Sequence, residues 1–286
     1  MLLPKDLPGQ PRDRRLPVMP DLEEPIRRYY DEGGERERLA ANPLERDRTQ
    51  RLLERFLPPA PARVADVGGG PGHYAAWLGE RGYEVELLDP MPLHLEQAAE
   101  TGVGPAVLGD ARELPWRDGS FHAVLLFGPL YHLRDREERV VALREAARVV
   151  APGGVVMAAA ISRYASLIDG LVQGRFADPA FRAIVAQDVT DGRHENPGEV
   201  PGWFTTSFFH TGDELASEVT DAGLIVRSVL AIEGAGTALA DDRALEADAG
   251  AWADLLAVVE RLEAEPSLLG LSAHMMAVAH RPRRSA

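Results

Sequence analysis

Asp66 stands two residues before the first of three alternating glycines in Val64-Ala65-Asp66-Val67-Gly68-Gly69-Gly70-Pro71-Gly72-His73. Glycine is needed where a chain turns with positive φ or where a ligand must touch the backbone. A glycine turn that enters a helix offers N–H groups and a positive dipole end to a polar cofactor. Asp89 is an acid able to accept from both hydroxyls of a ribose; its alternative is an ordinary surface acid or helix cap. A further acid, Asp110, lies in Gly109-Asp110-Ala111-Arg112-Glu113-Leu114-Pro115. In Gly128-Pro129-Leu130-Tyr131-His132-Leu133, His132 is a candidate general base, because imidazole titrates near neutrality. A histidine that fixes its loop by hydrogen bonds is the equal alternative. Tyr131 either walls a pocket or packs. His194, Trp203, Phe204, Phe208, Phe209 and His210 form a stretch suited to an organic-acceptor pocket, and equally to the core of a small subdomain.

These residues sit between regular elements. Strands are predicted over residues 63–68, 84–88, 105–109, 121–127 and 155–161, with a periodic helix over 135–150 that residues 151–154 break. Alternation of this kind means a mostly parallel sheet with helices on both faces. Asp89 and Asp110 fall at the ends of the second and third strands, and the Gly-Pro-Leu-Tyr-His-Leu run follows the fourth. Residues 163–210 leave the alternation and are expected to form a lid insertion of short helices and loops, 164–173 and 178–189 among them. A capping box at Thr211-Gly212-Asp213-Glu214 starts the next helix. A strand over 224–232, a helix over 244–264 and a strand over 273–280 complete the pattern. Ahead of the sheet, an acid pair near Asp21 opens a helix carrying Ile26, Tyr29 and Tyr30, and a second helix runs from residue 43 to 57. The expected organisation is a mobile tail (1–20), a helical cap (21–57) and a core (58–286) that contains the insertion.

The chain has 286 residues, 45% of them hydrophobic, a formal net charge of -14 and no cysteine. Acidity argues against nucleic acid or an anionic membrane surface as partner. The lack of cysteine removes disulfides, thiolate nucleophiles and zinc–thiolate sites. The eight histidines show no ligand spacing of the H-x-x-x-H kind, so no metal is expected. No apolar run is long enough to span a membrane, and residues 1–20 do not read as a signal peptide. A cytoplasmic protein, monomeric or homodimeric, is the default expectation.

A dinucleotide fingerprint would need glycine where His73 stands. The observed G-x-G-x-G run with its preceding acid instead resembles motif I of the class I S-adenosylmethionine (SAM) methyltransferases. The ordered set of glycine turn, Asp89 and Gly-Asp-Ala…Leu-Pro strengthens that resemblance over residues 61–161. It implies a Rossmann-like α/β fold with a seven-stranded, mostly parallel sheet. It also implies SAM as cofactor and S-adenosylhomocysteine as product. Its cofactor set would be Tyr30, Asp66, Gly68, Gly69, Gly70, Gly72, Asp89, Pro90, Met91, Asp110, Ala111, Arg112, Phe127 and Gly128. Within that set Asp110 would accept from the adenine amine, and Tyr30, on a helix closing over the site, would reach the cofactor carboxylate. One departure is Phe121-His122 where Phe-Asp is frequent; that acid is not usually a ligand. The implied reaction is methyl transfer to O, N or C of a small organic acceptor, including those of secondary metabolism. Tyr131 and His132 are then the catalytic candidates, and Tyr29, His194, Trp203, Phe204 and His210 the acceptor-binding ones. Two other readings stay open: a SAM- or nucleoside-binding protein without methyl transfer, and a dinucleotide oxidoreductase.

Overall fold

A computed structural model describes residues 22–239 and 245–283. The expected tail and the start of the helix predicted from residue 244 lie outside the described residues. Seven strands form one sheet in the order β3-β2-β1-β4-β5-β9-β8, where β1 is Arg63–Val67, β2 Glu84–Asp89, β3 Ala106–Leu108, β4 Phe121–Leu126, β5 Val150–Ile161, β8 Ile225–Ala231 and β9 His274–His280. Only β9 runs antiparallel to its neighbours, β5 and β8. The sheet reverses its winding between β1 and β4, the place where such folds open a crevice at the carboxyl ends of their strands.

Successive residues of a strand face opposite layers, and both layers are apolar. Ala65, Val67, Val124 and Leu126 join a core with Val140, Leu143 and Ala146 of helix α7 (Arg136–Val149) and Leu215 and Val219 of α10 (Gly212–Asp221). Val64, Ala123 and Leu125 join the opposite core with Leu52 and Leu53 of α3 (Pro43–Phe56), Ala75 and Leu78 of α4 (His73–Glu80) and Ala98 of α5 (Pro92–Glu100). Burial on both faces is why these strands read as continuous apolar runs.

The structure departs from the sequence reading at several points. Helix α7 ends at Val149, in keeping with the break expected at residues 151–154, but those residues lie within β5, which begins at Val150 instead of 155. Its pairing with β4 jumps from Phe121↔Val150 to Ala123↔Val155, so Ala151-Pro152-Gly153-Gly154 is absorbed as a bulge. Helix α1 (Glu24–Asp31) has Glu23 at its N-cap with no side-chain cap, and Asp21 of the expected acid pair lies outside the described residues. An additional helix, α2 (Glu35–Ala41), follows the Gly33-Gly34 turn. The capping box at Thr211 forms as read, with Thr211 and Glu214 bonding reciprocally. Between β5 and α10 lie α8 (Ala165–Val172), α9 (Pro179–Asp191) and a small hairpin of β6 (Arg193–His194) and β7 (Ser207–Phe208). A further helix, α11 (Ala249–Leu262), packs Trp252 and Leu256 on Leu44.

Candidate active site

Beyond β1 the chain turns through Gly68 and Gly70 at φ +72° and +55°, a region that glycine enters without strain. The Gly68 N–H donates to Leu88 O at 2.7 Å, which fastens the turn to β2. Gly69 lies over Asp66: a Cβ there would sit 2.7 Å from Asp66 Oδ2. Asp66 is 1% exposed, and neither carboxylate oxygen has a hydrogen-bond partner among the described residues. Burial, with Asp89 adding to it, pushes its pKa up to about 7. Asp89 accepts from the N–H groups of Gly70 (2.8 Å) and Met91 (2.9 Å) and from His94 Nδ1 (2.9 Å).

A cavity of about 350 Å³ opens above this turn. Tyr30, Asp66, Gly68, Gly69, Gly70, Asp89, Pro90, Met91, Asp110, Ala111, Arg112, Phe127 and Gly128 all line it, as does His132. Gly72 does not. Its hydrogen faces Val103, whose Cγ2 would be 2.8 Å from a Cβ, so its place is in packing rather than at the cofactor surface. Asp110 also differs from the expectation of a free adenine acceptor. Both its oxygens take N–H donors of Arg112, from the backbone at 2.8 Å and from the guanidinium at 2.6–3.2 Å. An adenine amine must share that carboxylate with the guanidinium or displace it.

The Gly-Pro-Leu-Tyr-His-Leu run forms a single helical turn, α6 (Pro129–His132), pressed against the glycine turn. A Cβ on Gly128 would stand 3.1 Å from Gly68 O. The Tyr131 hydroxyl donates to Phe127 O at 2.8 Å. His132 Nε2 and the Tyr30 hydroxyl are hydrogen-bonded at 2.6 Å. The buried His132 ring also faces the Thr206 backbone, whose hydrogen bond works against the effect of burial. Burial depresses this imidazole to about 3, so the premise that it titrates near neutrality fails. His132 is neutral at physiological pH and fastens α1 to α6.

A second cavity, of about 580 Å³, lies between α1, α3, α8, the β6–β7 hairpin and the end of β5. It shares Tyr30, Glu35, Arg38 and Tyr131 with the first, so these four residues are a wall common to the two. Tyr29, His194, Trp203 and Phe204 line it as expected. His210 does not. It is fully buried with Nε2 3.1 Å from Glu218, in a network where Arg139 pairs Glu218 and donates to Leu133 O and Arg134 O. His210 therefore braces the exit of α6 against α10. The opposite wall carries charges that sequence reasoning missed. Arg38 donates to Glu35 (2.7 Å) and Glu45 (2.6 Å), and His274 Nδ1 is 2.6 Å from Glu233. Burial would lower His274, but Glu233 and then Glu45 lift it to about 9. Donor atoms of Glu45, Glu233 and His274 lie within 4.8 Å of one another, the separation of a metal-ligand set. These residues come from distant elements, which a test of histidine spacing cannot detect. In this structure the set is neutralised internally, by the protonated His274 and by Arg38. His94 was also missed: 3% exposed, it lines the first cavity with Nε2 unpartnered among the described residues.

Asp66 and His94 thus bring orphaned buried atoms to one cavity. Each such atom costs about 1–3 kcal/mol unless a ligand satisfies it, so the lining suits a polar, hydroxyl- and amine-bearing group.

Comparison with known proteins agrees. Residues 65–158 match the family described as Methyltransferase domain. An uncharacterized methyltransferase of Mycobacterium bovis is 39% identical over 103 residues, 36% of this chain and 41% of that protein. A relative named Probable tRNA methyltransferase 9B, from Mus musculus, is 36% identical over 94 residues, 33% of this chain and 20% of that protein. This chain thus spans well under half the length of these relatives. The solved 1,6-didemethyltoxoflavin-N1-methyltransferase of Burkholderia thailandensis, with S-adenosylhomocysteine bound, has a TM-score of 0.57 at 14% identity. It covers 96% of this chain and 95% of its own, and at that identity it shows the fold alone. The glycine turn, the sheet order and the match agree over the same stretch: residues 65–158 are similar to the methyltransferase domain of the class I SAM-dependent enzymes, whose cofactor is S-adenosylmethionine.

Proposed function

We propose that this protein transfers a methyl group from SAM to an O, N or C atom of a small organic acceptor held in the second cavity. The observation that carries the reading is the shared wall: Tyr30, Glu35, Arg38 and Tyr131 line both cavities, so a donor in one and an acceptor in the other are neighbours across the same four side chains. When bound, SAM supplies an already activated methyl group on a sulfonium. The protein's task is then alignment, which can contribute ~7–11 kcal/mol of the barrier. Asp66, Gly68–Gly70 and Asp89 hold the nucleoside and methionine ends. Tyr131 stands in that wall, and the hydrogen bond between Tyr30 and His132 keeps α1 closed over it. Tyr29, Phe204 and Trp203 give the acceptor an aromatic bed, with Tyr29 and Phe204 edge-to-face at 5.5 Å.

The neutral, tethered His132 favours alignment over general-base catalysis. It also favours, as second reading, a SAM-binding protein without transfer. Incubation with methyl-labelled SAM and a panel of phenols, amines and acidic carbon compounds, read by mass spectrometry of S-adenosylhomocysteine and product, separates the two. Turnover with any small acceptor supports the proposal. Tight SAM binding without product across the panel and with metabolite extract leaves the second reading.

A further inference from the structure

We propose that His94 is a ribose-binding residue: its Nε2 accepts a hydrogen bond from one ribose hydroxyl while Asp89 accepts from the other. The proposal rests on the cofactor reading above and goes beyond it in naming a contact that the glycine turn and Asp89 do not supply.

The argument begins with the acceptor capacity of Asp89. A carboxylate has about four lone-pair sites, two on each oxygen. Oδ1 already accepts from the Met91 N–H and His94 Nδ1, each at 2.9 Å, and Oδ2 from the Gly70 N–H at 2.8 Å. One site, on Oδ2, is left. A vicinal diol brings two O–H donors, so Asp89 alone satisfies only one of them. A second acceptor is needed nearby.

His94 has the required chemistry. A carboxylate can only accept, so Nδ1 carries the proton that binds Asp89, which leaves Nε2 with a lone pair in the neutral ring. That nitrogen is buried and has no partner among the described residues, in a residue that lines the cofactor cavity. The ring is wedged between Asp89, the glycine turn and α1. Its Nδ1 lies 4.0 Å from where a Gly70 Cβ would be, and Tyr30 meets it edge-on with centroids 5.1 Å apart. The other orphaned acceptors of the cavity, the Asp66 oxygens, are placed differently: they lie under Gly69. On the β2–α5 side, where Asp89 sits, two buried acceptors have no partner among the described residues, His94 Nε2 and Gln97 Oε1, and of these residues only His94 lines the cavity.

The test is a calorimetric titration of S-adenosylhomocysteine and its 2′-deoxy and 3′-deoxy ribose analogues against the wild type and His94→Phe. The wild type should lose about tenfold in affinity for each deoxy analogue, the scale of one hydrogen bond. His94→Phe should bind the parent about tenfold more weakly. Its penalty for removing one of the two hydroxyls should vanish, and the penalty for the other, which belongs to Asp89, should persist. If both penalties survive in His94→Phe, the contact does not exist. If both shrink together, His94 acts only by orienting Asp89, and the proposal is equally overturned. His94→Gln, which keeps an acceptor, should recover part of the lost penalty and guards against a misfolded Phe variant. A wild-type arm needs no variant: with ¹⁵N-labelled histidine, the Nε2 resonance of His94 should move on adding the parent compound and stay in place with the analogue lacking its hydroxyl. A wild type that binds no S-adenosylhomocysteine would overturn the cofactor reading as well, whereas the variant outcomes bear on His94 alone.

Discussion

At the scale of single residues, the site is built from polar groups held away from water, and this fixes how they respond to pH. Asp66 has its folded pKa raised to about 7 from an ordinary value of 3.8. A raised folded pKa gives stability that is complete below the unfolded value and disappears as pH rises through the folded one. Between about pH 4 and pH 8 the ligand-free wild type should therefore lose stability relative to Asp66→Asn, by on the order of 4 kcal/mol in total. Urea denaturation of both proteins at several pH values measures this, and parallel curves would count against a strained Asp66. His132 is shifted the other way, to about 3, and does not titrate at neutral pH. The turnover ratio of wild type to His132→Asn should then stay constant between about pH 6 and 9. The expected loss, from a loosened Tyr30, is less than ~10²-fold, below the range for removal of a general base. A ratio that rises through a step near pH 6.5 would restore His132 as the base.

At the scale of elements, two segments distant in sequence close over the sheet edge together. Thr205 Oγ1 donates to Pro25 O at 3.0 Å, Arg28 meets Glu199, and Phe204 packs against Tyr29. The contact between Arg28 and Glu199 is half exposed and contributes little; the aromatic contact and the backbone bond do more. A cover tied by side-chain contacts of this kind should open without ligand. Hydrogen exchange in α1 and in the β6–β7 hairpin should slow when S-adenosylhomocysteine binds, while β1 and β4 are already protected. Equal protection of the cover with and without ligand would show a rigid wall. Within it, Trp203 lines the second cavity and meets Phe181 at 5.1 Å. Trp203→Ala should raise the acceptor KM several-fold with SAM affinity unchanged. The strands and the glycine turn were legible because backbone geometry and burial dictate their residue types. The roles of Arg38, Glu45 and His94 were not. Arg38 sits in a Glu35-Arg36-Glu37-Arg38 run that reads as a solvated helix face, and His94 follows Pro92-Leu93 like any helical residue. Their chemistry arises only where α2, α3 and β2 converge.

At the scale of the whole molecule, charge and cavity size bear on the acceptor class. Relatives by sequence include a protein named for tRNA, so the nucleic-acid alternative has to be argued from this chain. Its formal net charge is -14. A tRNA substrate needs Lys and Arg side chains to replace condensed counterions, and affinity then falls steeply with salt. Here the arginines near the site mouth are committed to acids: Arg28 to Glu199, Arg38 to Glu35 and Glu45, Arg112 to Asp110, Arg175 to Asp169. The second cavity, about 580 Å³, lies in the range of small-molecule pockets of ~300–1,000 Å³. Bulk tRNA should therefore bind no more tightly than ~10⁻⁴ M at physiological salt, the weak end of nonspecific binding. The protein should also form S-adenosylhomocysteine with a small acceptor at a rate unaffected by tRNA and nearly independent of salt between 50 and 200 mM. Filter binding and a salt series on turnover measure both. A micromolar tRNA complex that dissolves with a steep salt slope, or methyl label recovered in RNA, would place the acceptor outside the second cavity.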